Sequence, residues 1–246
     1  MDSSNPIIFY DIASAPPVVC FAPNPFKTRY ALNFKGIPYK TEWVELPNVT
    51  KVRKSLGAAA NRTHRDGSPF YTLPIIKNPT TGEVVGDSFD IALYLDNLKP
   101  DGPSLFPPTT VSLQAAFNVQ VDAIFTNYVR LFVHGLPFNP ETAEESKATF
   151  VQRAGAKSWD ELTVTGKERE ENLQGLKAAL EPIAKLYKLR DGLFLEGDTP
   201  IYADMILGSW LECYKVTLKE WDVVQTWHGG LWGKIHQGLQ KYAEMR

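Results

Sequence analysis

The sequence predicts an α/β domain followed by an all-helical domain, and three observations predict it. Up to about residue 100, short β-prone runs alternate with helical stretches. A Pro/Gly-rich stretch then interrupts the chain: Lys99-Pro100-Asp101-Gly102-Pro103, extended by Pro107-Pro108. Beyond it apolar residues recur at helical spacing and nothing strand-like is persuasive. The boundary divides the chain into residues 1–100 and 101–246.

In the first part, Pro6-Ile7-Ile8-Phe9-Tyr10 reads as a buried strand. A helix start follows, with Asn24 as N-cap and Pro25 at the first helical position. Phe26, Tyr30, Ala31 and Phe34 repeat at helical spacing and Gly36 ends the run. Pro38 to Val44 suits a second strand, and Val49 to Ala60 a short helix. Leu73-Pro74-Ile75-Ile76 and Val84-Val85 read as strands joined by a hairpin loop at Asn78-Pro79-Thr80-Thr81-Gly82, and a helix runs from Phe89 to Leu98. The order is βαβ, α, ββ, α.

In the second part, Phe117, Val121, Ile124, Tyr128 and Leu131 mark one buried helix face. Leu173 to Leu189, Ala203 to Val216 and Leu231 to Tyr242 read as further helices, while Pro137 to Val164 reads as weak helix plus a long connection.

Composition narrows the function classes. The 246 residues are 43% apolar, enough for a sizeable core, and 26 Lys plus Arg balance 28 Asp plus Glu. That balance argues against nucleic acid or an anionic membrane as partner. Two cysteines, Cys20 and Cys213, with no CxxC, argue against a disulfide scaffold or a cysteine zinc site, and the four histidines show no metal spacing. No signal-like start and no membrane-length apolar run is evident, so the expectation is a cytoplasmic protein without metal.

Three places could carry chemistry. Leu73-Pro74 enters a strand; it is either an edge-strand proline or a cis bond that turns the Leu73 amide and carbonyl outward to pair with a peptide-like ligand. Asp87-Ser88 stand at a strand-to-helix junction. They either cap the helix or hold an amino-acid head group, Ser88 and the helix amides taking a carboxylate and Asp87 an ammonium. The loop Cys20-Phe21-Ala22-Pro23-Asn24-Pro25 precedes a helix start that could stabilise a ligand thiolate through the amides of Ala22, Asn24 and Phe26 and the Asn24 side chain. Arg62, His64 and Arg65 form a basic loop, read as solvated or as facing a carboxylate. The stripe of Phe117, Phe125, Tyr128 and Phe132 reads as core.

Taken in order, these features resemble a cytosolic glutathione transferase. Phe9-Tyr10-Asp11 and Pro23-Asn24-Pro25-Phe26-Lys27-Thr28-Arg29-Tyr30-Ala31-Leu32 are similar to the etherase-related branch, closest to the fungal class of wood-decaying basidiomycetes. Asp87-Ser88-Phe89-Asp90-Ile91-Ala92-Leu93-Tyr94-Leu95 resembles the glutathione-recognition segment, and Gly197-Asp198 with Ala203-Asp204 the signature of the helical domain. The resemblance spans nearly the whole chain. It implies a thioredoxin-like domain plus a helical domain, glutathione as co-substrate, and a homodimer. Leu73 and cis Pro74 would hold the cysteinyl unit, Asp87 and Ser88 the γ-glutamyl head, and Asn24 would touch the thiolate. The co-substrates would be hydrophobic aromatic electrophiles or aryl ethers. The alternative is a ligandin that binds plant or wood polyphenols without transforming them.

Two departures matter. Ala22 stands where this branch commonly has serine, and related classes cysteine. Losing one charge-assisted donor costs on the order of 1.5–3 kcal/mol of thiolate stabilisation, against a free thiol pKa of about 8.5. Cys20, close by, raises a mixed-disulfide role as an alternative. Ile201 replaces the Ser, Thr or Asn of the helical domain's capping box, leaving only the half supplied by Asp204.

Overall fold

The computed structural model describes residues 5–64 and 66–246. β1 (Ile7–Ile12) alternates buried and half-buried side chains and extends two residues past the predicted strand. The extension carries Asp11 into the interior, where Arg29 pairs with it at 2.7 Å and both side chains are fully buried. A carboxylate so placed requires such a partner. α1 (Pro23–Phe34) ends before Gly36, whose φ of 58° closes the helix as expected. β2 (Tyr39–Val44) returns parallel to β1.

A 3₁₀ turn (Leu46–Asn48) leads into α2 (Val49–Ser55), which stops well short of Ala60. Gly57, at φ 69°, donates to the Lys54 carbonyl and Ala58 to that of Arg53, so the helix is closed by a left-handed glycine. Two-residue strands β3 (Arg62–Thr63) and β4 (Pro69–Phe70) form a hairpin absent from the sequence reading. Strands that short carry no alternation to detect. β5 (Ile75–Lys77) and β6 (Val84–Gly86) form the predicted hairpin, and α3 (Ser88–Leu98) closes the unit. The main sheet runs β2-β1-β5-β6, antiparallel except for β1 with β2.

After an irregular stretch come α4 (Val111–Asn127), α5 (Ala143–Ala154), α6 (Gly166–Leu186), α7 (Tyr202–Thr217), α8 (Trp221–Val224) and α9 (Trp227–Leu239). His228, Gly229 and Gly230 take left-handed angles at the start of α9, so its regular part begins at Leu231, as the periodicity predicts. α7 is the central post: 14 of its 16 residues are buried, so it packs on all sides. Against it lie α1 and α9, and Gly208 permits the approach of α9 because a methyl there would overlap Leu239. One hydrophobic cluster runs from Phe9 and Tyr30 through Phe125 and Tyr202 to Leu239 and so joins both halves. A second lies under the other sheet face, where Val44, Val49, Leu73 and Ile75 meet Phe138 and Phe150.

Candidate functional site

The strand register places the three candidate segments at one end of the sheet. Ile75 pairs with both Tyr10 and Gly86, so Leu73-Pro74 enters beside Asp87-Ser88 and beside the end of β1 that leads to α1.

Asn24 is not the cap of α1. The helix starts two residues earlier, with Ala22 as N-cap (φ −81°, ψ 130°) and Pro23 as its first residue. Prolines at 23 and 25 each suit the first helical position, and the earlier one takes it. Asn24 is half-buried and its side chain takes no hydrogen bond from the described residues. Phe26 donates its amide to the Ala22 carbonyl at 3.1 Å, which removes it from the expected donors. The amides of Ala22 and Asn24 and the Asn24 carboxamide remain.

The Leu73–Pro74 bond is cis. Leu73 is buried, yet neither its N–H nor its C=O is paired among the described residues. Buried backbone groups are nearly always satisfied, so such a pair marks a slot for an extended chain. Two arginines hold the residues just before it. Arg53 donates through Nη1 to the Thr72 carbonyl (2.5 Å) and through Nε to that of Ala59 (2.7 Å). Arg153 of α5 donates to the Tyr71 carbonyl at 3.2 Å. Sequence reasoning missed Arg53, which looks like any basic residue in a last helical turn. The signal was Gly86, since a methyl there would meet the Arg53 guanidinium.

Asp87 does cap α3: its Oδ1 accepts from the Phe89 amide at 2.9 Å, leaving its other carboxylate oxygen open. Its φ of 112° is strained for a residue with a side chain, as at many functional sites. Ser88 is buried with an unpartnered hydroxyl, and its carbonyl accepts from the Tyr202 hydroxyl of α7 at 2.7 Å. Buried Arg53 and Lys27 lie within electrostatic reach of Asp87; burial lowers both cations' pKa values and Asp87 opposes this. Lys27 in turn donates to Asp122 (2.7 and 2.9 Å) and Asn118 (2.8 Å) of α4, tying the first helix to the second half of the chain.

Cys20 is buried beside Asp11 and Arg29. Burial, with the Asp11 charge adding to it, pushes its thiol well above the ordinary range, which removes the thiolate a mixed disulfide needs. Arg62 is exposed on β3, His64 stacks on Phe70 (centroids 4.4 Å), and Arg65 lies outside the described residues. Phe125 and Phe132 are core, packed on Trp210 and Tyr214, but Phe117 lines a cleft of about 660 Å³ with Leu113, Leu186 and Ile201. Asp204 supplies its expected half of the cap, accepting from the Ile201 amide at 2.9 Å and from that of Leu195 at 3.0 Å.

Two family models match the chain: "Glutathione S-transferase, N-terminal domain" over residues 21–98 and "Glutathione S-transferase, C-terminal domain" over residues 112–242. The chain belongs to the glutathione S-transferase family. A curated relative, the glutathione S-transferase-like protein ustS of Aspergillus flavus, is 29% identical, covering 98% of this chain and 93% of the relative. A Ceriporiopsis subvermispora glutathione S-transferase, crystallised in complex with glutathione, is 36% identical with TM-score 0.89 over 98% of this chain and 99% of that one. Glutathione transferase GSTFuA3 of Phanerochaete chrysosporium is 36% identical with TM-score 0.86, over 96% and 97%. The architecture is therefore the transferase fold, a mixed α/β domain followed by a helical one. Among the described residues, no helix is long and apolar enough to cross a membrane.

Proposed function

We propose that this chain is a glutathione transferase of the etherase-related fungal class, binding glutathione between α1, Leu73 and α3. The observation that carries the reading is the unpaired N–H and C=O of buried Leu73, lying between two helix starts. Leu73, with Pro74, takes the cysteinyl backbone. The Ser88 hydroxyl and amide receive the γ-glutamyl carboxylate, while the open oxygen of Asp87 receives the ammonium. Bound there, glutathione supplies the thiol nucleophile. The chain's part is to orient the sulfur at the start of α1 and favour its ionised form, through the helix dipole, the Ala22 and Asn24 amides and the Asn24 carboxamide.

Hydrophobic aromatic electrophiles or aryl ethers are the proposed co-substrates. Phe21 packs edge-on to Phe138, which meets Trp159, so the loop leading to Ala22 is bordered by aromatic faces. The proposed setting is a cytoplasmic homodimer, for which exposed Leu113 and Val119 of α4 and exposed Leu189 offer apolar surface.

Ala22 favours a second reading, a ligandin that holds phenolic molecules with little or no conjugation. Titration with glutathione at neutral pH, followed by thiolate absorbance, separates the two. A saturable thiolate signal supports the transferase. Binding by calorimetry without that signal, together with fluorescence quenching by polyphenols, supports the ligandin. Asn24→Ala is expected to lower turnover more than glutathione affinity; equal loss of both would remove its thiolate role.

A further inference from the structure

We propose that the cleft between the β3–β4 hairpin and the end of α5 is an oxyanion site built on Arg153, shaped for one carboxylate or phosphate group. The cleft holds about 260 Å³ and is lined by Thr63, His64, Phe70, Gln152 and Arg153. That volume suits a charged end group rather than a whole drug-sized ligand.

The charge balance of the molecule points to it. Lys27, Arg29, Lys35 and Arg169 are all buried or half-buried, and each meets a carboxylate within 2.6–2.8 Å. Half-buried Arg153 meets none among the described residues. Arg53 also lacks a carboxylate, but it spends two donors on carbonyl groups. Of the five guanidinium donors, Arg153 spends one hydrogen bond on the Tyr71 carbonyl. Its other support is the Phe70 ring, 5.2 Å from the guanidinium carbon, on which His64 also stacks. Asp66 lines the cleft too, but its Oδ1 accepts from the amide and hydroxyl of Ser68 (2.9 and 2.6 Å). Burial without a counter-charge lowers the Arg153 pKa to about 10. An anion that accepts the free edge of the fork would supply the missing charge.

The oxyanion has two possible sources. Arg153 holds Tyr71, two residues before Leu73, and a peptide paired antiparallel to Leu73 would send its C-terminal end toward Tyr71. The first source is thus the terminal carboxylate of glutathione, and this arm rests on the function proposed above. The second is a separate small anion, which does not.

Calorimetry on the full chain tests both, using wild type, Arg153→Gln and Arg153→Lys, with thermal melting to verify folding. The probes are glutathione, its glycyl monoester and inorganic phosphate. If glutathione is the source, wild type prefers the free acid over the ester on the order of tenfold, and Arg153→Gln abolishes the preference. If the anion is separate, phosphate binds saturably with glutathione already present, and Arg153→Gln abolishes that binding alone. Either result supports the site, with Arg153→Lys intermediate because it keeps charge and loses the fork. Folded Arg153→Gln that matches wild type toward all three probes overturns it. Failure of every variant, wild type included, to bind glutathione would sink the functional reading instead, and phosphate would still test the site.

Discussion

The starts of α1 and α3 face the same end of the sheet but are built in opposite ways. At α3, Asp87 caps the helix and keeps an oxygen free, Ser88 keeps its hydroxyl free, and two buried cations stand behind them. At α1, the cap is a methyl and two of the first three residues are prolines without an N–H. Donors and charges are concentrated at the end that would hold the ligand's head group and thinned at the end that would meet its sulfur. Affinity and reactivity are thereby assigned to separate helix ends, and each end can be changed without the other.

The largest expected effect breaks the rich end. Asp87→Asn keeps a side-chain oxygen for the Phe89 amide and removes the charge. Glutathione affinity should fall roughly 30- to 100-fold, corresponding to about 2–3 kcal/mol for a charge-assisted pair. Stability should stay within about 0.5 kcal/mol, because Asn caps about as well as Asp. Calorimetry and melting measure the two. Unchanged affinity would take the ammonium role away from Asp87.

Ala22→Ser repairs the poor end. A serine hydroxyl at the N-cap can donate to the sulfur while accepting from the Asn24 amide. The bound thiol pKa should drop by about 1–2 units, from 1.5–3 kcal/mol of added stabilisation, with affinity little changed. Ultraviolet titration of bound glutathione reads this directly, and no drop would mean that the sulfur does not sit at residue 22.

α7 carries a buried carboxyl toward each end, and the two respond to acid in opposite directions. Glu212 accepts from Tyr30 of α1 and pairs with His236 at 3.1 Å; burial pushes its pKa up, but the hydrogen bond and charge of His236 and the Gln240 hydrogen bond outweigh it and hold it below the ordinary value. Its contribution is present above the unfolded pKa and is lost as pH falls through the lower folded one. Asp204, raised to about 6 by burial, behaves inversely. It binds its proton more tightly when folded, so its contribution grows as pH falls from about 6 toward the unfolded value near 4, by on the order of 3 kcal/mol. Denaturation followed from pH 7 down to about pH 2 should therefore lose its acid-stabilised component between about pH 6 and 4 in Asp204→Asn, and its acid-sensitive component below the unfolded glutamate value in Glu212→Gln. Parallel profiles for both variants and wild type would contradict these assignments.

How much of this could be read from the chain follows from the range of the interactions. Leu73-Pro74, Asp87-Ser88 and the helical face from Phe117 to Ile124 are written in local pattern: a proline before a strand, a cap residue before a helix, a 3.6-residue period; the expected face runs on to Tyr128 and Leu131, but α4 stops at Asn127 and Leu131 lies in a 3₁₀ turn. The start of α1 is ambiguous in the sequence because Pro23 and Pro25 satisfy the same local rule. Arg153 and the Lys27–Asp122 pair are invisible locally, since each is defined by a partner more than 80 residues away, and Arg53 is defined by carbonyl groups 6 and 19 residues on; all look like solvated cations in sequence. Cys20 illustrates the same limit: its proximity to Ala22 invites a reactive role, and only its burial against Asp11 removes it.

Tyr202→Phe gives the smallest effect and the cleanest comparison. Its hydroxyl donates to the Ser88 carbonyl at 2.7 Å, from a residue on α7 that touches no proposed ligand group. Removing it takes the second hydrogen bond from a buried carbonyl that α3 already engages, at about 1 kcal/mol. If that bond holds α3 in register, glutathione affinity should fall by roughly fivefold, the equivalent of about 1 kcal/mol. The bound thiol pKa should not move, because nothing at the α1 end depends on Ser88. A shift in that pKa would mean that the two helix ends are coupled through α7, and the separation of affinity from reactivity would fail.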